Sequence, residues 1–199
     1  QSAIKNYTEN GGNIFVSGSF IASDLWCNPI IESTAEDCEF AQNVLHYKWR
    51  NSRAARTGNV NGVASTIGTF NGNYTYNNTL NDSCYVVESP DGIEPADNDA
   101  GTIMRYTENN LSAAVAWQGK YRTVALGFPF ETINNTEARN NLMKQILNFF
   151  KRTKNNKEFI SKISKIKKEK THTIIVKKSN NFFKKRSVIQ INLKGDFTM

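Results

Sequence analysis

The stretch "VALGFPFETI", residues 124–133, decides how this chain is interpreted. Apolar residues run as far as Phe130, and Glu131 then begins a polar segment. This pattern is typical of a buried strand that delivers an acidic side chain to the carboxyl edge of a sheet. Two interpretations of Glu131 stay open at this point: a group that takes part in chemistry, or a carboxylate that caps or anchors the loop before the next helix.

Three apolar segments with polar breaks lead up to Glu131: "TIMRYTE" (102–108), "SAAVAWQG" (112–119) and "YRTVALGFPF" (121–130). The breaks at Asn109-Asn110 and Gln118-Gly119 predict turns, so we expect an antiparallel meander that merges into the sheet. The following segment "NTEARNNLMKQILNFF" (135–150) predicts a helix with one apolar stripe, capped by Asn135 or Thr136.

The first half of the chain predicts a helix that ends near Gly11 and Gly12, then a short buried strand in "NIFVSGS" (13–19). A second helix is expected from Thr34 to Trp49, with Thr34 and Asp37 forming a capping box. "SCYVVES" (83–89) is a further strand candidate. The order of elements indicates an α/β fold. Because residues 1–150 supply too few strands for a closed doubly wound sheet, we expect the missing strands before Gln1.

The charge changes abruptly near Lys151. Residues 1–150 hold 10 Lys and Arg against 15 Asp and Glu, whereas residues 151–199 hold 15 against 3. We therefore expect a domain over residues 1–150 and a basic tail, rich in Lys, Asn and Ile, over residues 151–199. For the tail, three interpretations stay open: a solvated, disordered segment, spurious coding sequence, or a binder of nucleic acid or an anionic surface.

Neither a signal peptide nor a membrane-spanning segment is expected from the sequence, because no apolar run is long enough. The three cysteines are Cys27, Cys38 and Cys84, without the paired spacing of a zinc site. A disulfide between Cys27 and Cys38 and free thiols are both compatible with the spacing. No cofactor is expected.

The segments "YTENGGNIFVSGSFIASDL", "VNGVAS", "AGTIMRYTENNLSAAVAW" and "YRTVALGFPFETI…ARNNLMKQILNFF" resemble a glutamine-amidotransferase-like domain. That domain is associated with secreted bacterial xanthan lyases, golvesin-type carbohydrate-binding proteins and N-acetylmuramoyl-L-alanine amidases. The resemblance covers residues 1 to about 150 and implies an α/β fold: the C-terminal portion of a flavodoxin-like, three-layer sandwich. It also implies a secreted or cell-envelope location.

The related class I amidotransferases, as the resemblance implies, use a Cys on a strand-to-helix elbow, a His, and a Glu two residues later. Here the elbow offers Ser17, Gly18 and Ser19, and the strand reads Phe-Pro-Phe-Glu, without a His before Glu131. The two histidines of the chain, His46 and His172, lie elsewhere. Without an imidazole, a serine has no evident base. Ser17, Ser19 and Glu131 are therefore the catalytic candidates, and turn chemistry is the structural alternative for the serines.

Two other sets of residues suggest binding. Oxygen ligands for Ca²⁺ crowd the loop that carries Asp91, Glu94, Asp97 and Asp99, although their spacing differs from an EF-hand and a solvated acidic loop is the alternative. An aromatic platform for sugars is the second hypothesis, because aromatic faces pack on apolar C–H surface. Its candidates are Trp26, Tyr74, Tyr76 and Trp117, and Trp26 is the candidate for an exposed substrate contact.

The sequence thus predicts a non-catalytic scaffold or binding module from a secreted protein that processes polysaccharide or peptidoglycan. Its expected partners are other domains of the same parent chain and a polysaccharide or peptidoglycan. The alternative is a hydrolase that uses Ser17 or Ser19 with Glu131 and a base from the missing N-terminal portion expected before Gln1. A nucleic-acid partner is disfavoured, because the clustered lysines of the tail have no aromatic residues interleaved on a folded platform.

Overall fold

A computed structural model describes residues 1–26, 33–80 and 84–151. The chain divides into two units, Gln1–Arg152 and Thr153–Met199, and the described residues all belong to the first. Every prediction made for the basic tail, and those for Cys27 and His172, concerns residues outside the described ranges. None of the helices in the described ranges is both long and apolar enough to cross a bilayer.

The elements follow one another in chain order as α1 (Ser2–Glu9), β1 (Ile14–Ser17), α2 (Ala35–Phe40), a π-helix (Ala41–Leu45), β2 (Tyr47–Asn51), β3 (Asn59–Gly62), β4 (Asn73–Thr75), β5 (Gly92–Pro95), β6 (Ala100–Tyr106), β7 (Ser112–Gln118), β8 (Arg122–Leu126), a 3₁₀ turn (Phe130–Thr132) and α3 (Thr136–Lys151).

In the described part of the chain, six strands form a mixed, curled sheet in the order β1-β8-β7-β6-β3-β4, and β2 pairs with β5 in a separate two-stranded sheet. The β1–β8 pair is parallel, and the other pairings of the larger sheet are antiparallel. The outer side of β4 is bonded by the segment after the 3₁₀ turn, since Asn134 N–H donates to Thr75 O at 2.9 Å. The predicted meander of three strands is confirmed as β6, β7 and β8.

The prediction of a flavodoxin-like, three-layer α/β sandwich is wrong. A flavodoxin-like sheet is built from parallel strands with helical crossovers, whereas this fold is mostly β with largely antiparallel pairing. The order of helices and strands misled the prediction. The strands β7 and β8 are nevertheless buried on both faces. Burial on both faces is typical of parallel sheets, and here packing produces it on antiparallel strands.

Two cores explain that double burial. On one face, Ala114 and Leu126 belong to a cluster that includes Leu142 and Ile146 of α3. On the other face, Val115 and Ala125 belong to a cluster that includes the π-helix and the small β2–β5 sheet. The alternation of side chains along each strand sends neighbouring residues to opposite cores.

The helix predicted from Thr34 to Trp49 begins as expected and ends early. The capping box is confirmed, because Asp37 N–H donates to Thr34 Oγ1 and the Asp37 carboxylate accepts from Thr34 N–H at 2.8 Å. The helix widens into the π-helix and stops at His46, which adopts the left-handed conformation with φ 63° and ψ 33°. Trp49 therefore lies in β2 and not on a helix. The strand predicted for "SCYVVES" is wrong, since its described part, residues 84–89, is irregular.

Candidate functional site

The carboxyl ends of β1 and β8 meet at one edge of the sheet, because the two strands are parallel with Ser17 opposite Leu126. The Phe130 N–H at the start of the 3₁₀ turn donates to Ser17 Oγ at 3.3 Å. The same turn carries Glu131, so Ser17 and Glu131 lie in neighbouring segments of this edge. The sequence predicted this placement of Glu131.

Gly127 lets the chain approach Asp91 closely at the same edge. Asp91 N–H donates to Gly127 O at 2.7 Å. A Cβ atom at position 127 would overlap the carbonyl oxygen of Asp91. A residue without a side chain is therefore required between the buried strand and the turn that carries Glu131.

Glu131 is exposed and has a specific partner. Tyr85 Oη donates to Glu131 Oε1 at 2.6 Å, and the Tyr85 side chain is 55% exposed. The pKa of Tyr85 is raised to about 12, mainly by partial burial and secondly by the hydrogen bond to the Glu131 carboxylate. An exposed aromatic ring and a carboxylate thus stand side by side at the edge of the sheet.

Asp91 holds the loop that follows β1. Its Oδ2 atom accepts from Ala22 N–H at 2.9 Å, Ser23 N–H at 3.0 Å and Ser23 Oγ at 3.3 Å. The Asp91 side chain is fully buried, and in the described part of the chain its Oδ1 atom has no hydrogen-bond partner. Burial raises the pKa of Asp91 to about 6, against the lowering effect of the three donors. The loop held in this way also carries Ser19, which is half-buried, and Phe20, which is 52% exposed.

A second polar cluster surrounds His46 at the other end of β8. His46 Nδ1 lies 2.8 Å from Asp97 Oδ2, and Nε2 lies 3.0 Å from Tyr121 Oη. The imidazole stacks on Trp117 with ring centroids 3.6 Å apart and an angle of 2° between the planes. Burial lowers the pKa of His46 from its usual value, although the Asp97 carboxylate opposes the shift. The sequence identified His46 only as a helical residue, and its left-handed position was not foreseen.

The Asp97–His46–Tyr121 order matches that of a catalytic acid–base–hydroxyl set, yet its chemistry does not fit one. A hydroxyl nucleophile needs an activating environment, whereas burial raises the pKa of Tyr121. Tyr121 Oη also donates to the Val44 carbonyl at 2.9 Å. We therefore assign no nucleophile to this cluster.

The structure does not bring the described histidine to the catalytic candidates. Tyr121 immediately precedes β8 and Glu131 follows it. Because a parallel strand rises about 3.3 Å per residue, the five-residue strand separates the two clusters by more than about 13 Å along its axis. Within the described residues, Ser17 and Glu131 thus have no imidazole beside them.

The four Ca²⁺ candidates are dispersed. Asp91 binds the loop after β1, Asp97 contacts His46, and Glu94 Oε1 lies 3.6 Å from Arg50. Asp99 is exposed and its N–H donates to Asp97 Oδ1 at 2.9 Å. Over residues 1–26, 33–80 and 84–151, no group of three or more His, Cys, Asp or Glu side chains is placed to hold a metal ion.

The predicted aromatic platform is not formed as a set. Tyr74 and Tyr76 are 2% and 0% exposed, so both belong to the core. Trp117 is half-buried and one face of its ring is covered by His46. Trp26 is half-buried, and its carbonyl oxygen accepts from Ser33 Oγ. Of the four candidates, Trp26 thus lies in neither core cluster, and it is half-buried where an exposed contact was predicted.

Sequence reasoning missed two exposed aromatic residues at the carboxyl edge, Phe20 and Tyr85. For Phe20 a signal existed, because an aromatic residue among Gly and Ser directly after a strand has few core neighbours. Tyr85 was missed because residues 83–89 were predicted to form a strand, in which an aromatic residue is expected to pack against the core. Its backbone is held outside any strand by the Asn77 side chain, whose Nδ2 donates to the Cys84 and Tyr85 carbonyls at 2.9 Å.

Comparison with known proteins shows no family for this chain. No family model matches the chain, and no curated protein sequence matches it. Among solved structures, an exo-β-1,4-mannosidase (Op5Man5) from Opitutaceae bacterium strain TAV5 matches with 14% identity and a TM-score of 0.37. The match covers 74% of this chain and 22% of the mannosidase, so the chain spans about a fifth of that structure's length.

The resemblance to a glutamine-amidotransferase-like domain is therefore wrong. Neither a family model nor a related sequence supports it, and the largely antiparallel sheet departs from the fold that the resemblance implied. The descriptions flavodoxin-like and xanthan lyase-like are wrong with it. The term pseudoenzyme assumed catalytic relatives in that family, and the secreted location was inferred from the same resemblance. Without the resemblance, neither term is supported.

Proposed function

We propose that the described domain is a non-catalytic binding module, whose contact surface is the carboxyl-edge surface formed by Ser17, Phe20, Tyr85 and Glu131. The observation that carries this proposal is the Tyr85–Glu131 pair, an exposed ring hydrogen-bonded to an exposed carboxylate at 2.6 Å. A histidine that could act as a base is instead held in the cluster at the other end of β8.

The ligand class that fits this surface is a polysaccharide or a peptidoglycan fragment. A sugar ring has an apolar C–H face that packs against an aromatic ring, and hydroxyl groups that donate to a carboxylate. Tyr85 offers the ring and Glu131 the acceptor, while Phe20 and the sequence candidate Trp26 offer further apolar contact.

A secreted or cell-envelope location and contacts with other domains of the parent chain are part of the proposal. Cys38 is disulfide-bonded, which supports an oxidising compartment. Within the described residues β1 pairs on one side only, with β8, and all its residues are half-buried. An apolar strand with one unpaired side supports a neighbouring chain segment or domain there.

Titration calorimetry with soluble muropeptides and polysaccharide fragments tests the binding proposal. Tyr85→Ala is expected to weaken binding about tenfold or more, which corresponds to about 1.4 kcal/mol. Tyr7→Ala is the matched control, because Tyr7 is 56% exposed on α1 and lies outside the carboxyl-edge surface. Equal affinity of the Tyr85→Ala variant and the wild-type protein would contradict the proposal.

The alternative function is a hydrolase that uses Ser17 or Ser19 with Glu131. It is favoured by the position of Ser17 Oγ, which touches the turn that carries Glu131. Release of reducing ends or free amino groups from the same ligands measures this activity. The binding-module proposal expects none, and a hydrolytic rate that disappears in both Ser17→Ala and Glu131→Gln would replace it with the hydrolase.

A further inference from the structure

His46 stands where three segments of the chain meet. It ends the π-helix and begins the connection to β2, Asp97 comes from the loop between β5 and β6, and Tyr121 comes from the turn between β7 and β8. Its left-handed backbone is uncommon for a residue with a side chain. The ring contacts with Asp97, Tyr121 and Trp117 hold it there.

Tyr121 also caps the end of the π-helix. Its hydroxyl oxygen lies 2.9 Å from the Val44 carbonyl oxygen and 3.3 Å from the Asn43 carbonyl oxygen, within reach of a hydrogen bond to either. The final carbonyls of a helix have no partner within the helix and need an outside donor. The neighbouring Leu45 carbonyl receives the Thr123 hydroxyl at 3.1 Å, so β8 and the turn before it together cap the π-helix.

The three contacts His46–Asp97, His46–Tyr121 and Tyr121–Val44 need three hydrogens. A neutral imidazole carries one, which the Asp97 carboxylate requires on Nδ1, and the Tyr121 hydroxyl carries one more. That single hydroxyl hydrogen then serves either His46 Nε2 or the Val44 carbonyl. An imidazolium carries two hydrogens, so its Nε2–H donates to Tyr121 and the hydroxyl hydrogen is left for Val44.

We propose that His46 is a proton-operated switch, in which protonation of its ring turns the Tyr121 hydroxyl hydrogen from His46 Nε2 to the Val44 carbonyl. The β7–β8 turn is then bonded to the end of the π-helix in the protonated state. In the neutral state this bond competes with the bond to His46.

The groups that face His46 set the pH range of the switch. Asp97 and Asp99, both from the β5–β6 loop, favour the imidazolium, and the Trp117 ring stacked on His46 also favours a cation. Burial outweighs them and lowers the pKa of His46 from its usual 6.5. On the Tyr121 side, α1 contributes a hydrogen bond between the Thr8 and Tyr121 side chains and the charge of Glu9. We therefore expect the change in mildly acidic solution.

Carbon-13 and nitrogen-15 NMR of the full chain tests the switch between about pH 4.5 and 8. In the wild-type protein, neutral His46 is expected to carry its proton on Nδ1. The Val44 carbonyl signal is expected to shift with the same midpoint as the His46 ring. In Tyr121→Phe, His46 still titrates and the Val44 shift is lost.

Tyr74→Phe is the matched control, because it removes a tyrosine hydroxyl that bonds the Asn71 carbonyl, and three strands separate β4, which carries Tyr74, from β8. This variant is expected to keep the Val44 shift. His46→Gln separates the signals of His46 from those of His172, and Tyr121→Phe keeps the test valid where the His46 variant folds poorly. A neutral ring protonated on Nε2, or a Val44 carbonyl that ignores the His46 titration, would overturn the proposal.

Discussion

The two ends of β8 each hold a buried titratable side chain, and the two differ in kind. At the amino end His46 has both ring nitrogens bonded, to Asp97 and Tyr121. At the carboxyl end Asp91 has three donors on Oδ2 and none, within the described residues, on Oδ1. Burial pushes each group toward its neutral form, so the pKa of the base falls and that of the acid rises.

The comparison shows that burial and a shifted pKa do not by themselves mark a binding residue. Both buried groups hold loops in place, whereas the pair proposed for binding, Tyr85 and Glu131, is exposed. The acidic groups at the carboxyl end therefore divide into one that organises the edge and one that faces solvent. Mutations that separate these roles test the comparison.

The largest effect is expected for Asp91→Ala. Removing the carboxylate leaves the Ala22 and Ser23 N–H groups buried without their acceptor, which costs about 2–4 kcal/mol of unfolding free energy. Urea denaturation measures the loss, with Asp24→Ala as the control, because Asp24 lies in the same loop and is exposed. A loss below about 1 kcal/mol would show that Asp91 does not hold the loop.

The next effect concerns pH, and the two buried groups should act in opposite directions. The native state keeps a proton on Asp91 between about pH 4 and 6 that the unfolded chain has released. The Asp91 contribution to stability therefore falls by about 2–3 kcal/mol as pH rises through this window. As pH falls below about 6.5, the unfolded chain takes up a proton on His46 before the native state does. The His46 contribution to stability therefore rises with pH up to about 6.5.

Urea denaturation of the wild-type protein, Asp91→Asn and His46→Gln across about pH 4 to 7 measures both slopes of stability against pH. Asp91→Asn keeps an acceptor oxygen for the loop and removes the falling slope, so the rising contribution of His46 becomes visible. His46→Gln is expected to do the reverse. Identical pH profiles for the two variants would show that these groups do not control the pH dependence of stability.

The smallest effects separate a buried hydroxyl from an exposed one. Tyr106 Oη donates to the Asp91 carbonyl at 2.8 Å inside the core, and Tyr85 Oη donates to Glu131 at the surface. Tyr106→Phe is expected to cost about 1–2 kcal/mol and Tyr85→Phe less than about 0.5 kcal/mol. Thermal and urea denaturation of the pair provides the measurement, and a larger loss for Tyr85→Phe would contradict the assignment of Tyr85 to a binding surface.

Local patterns in the sequence determined several elements of this protein. The alternation of apolar segments and turns predicted the β6–β8 meander, and the Thr34–Asp37 capping box marked the start of α2. Asn135 or Thr136 was foreseen as the cap of α3, and the Asn135 side chain accepts from Ala138 N–H at 2.9 Å. The position of Glu131 after a buried strand was also predicted from the apolar run that precedes it. Each of these depends on neighbours a few residues apart, and such neighbours leave a pattern in the chain.

Tertiary structure alone decided which strands distant in the chain pair, where the second helix ends and the role of each polar side chain. The pairings of β1 with β8 and of β3 with β6 join segments far apart in the chain, so the order of elements alone suggested the wrong fold class. The helical spacing of apolar residues continues to Trp49, but the helix ends at His46. The contacts that hold His46 there, with Asp97 and Tyr121, come from 51 and 75 positions further along the chain. Burial and long-range partners set the energy of these groups, and neither is a property of a local segment.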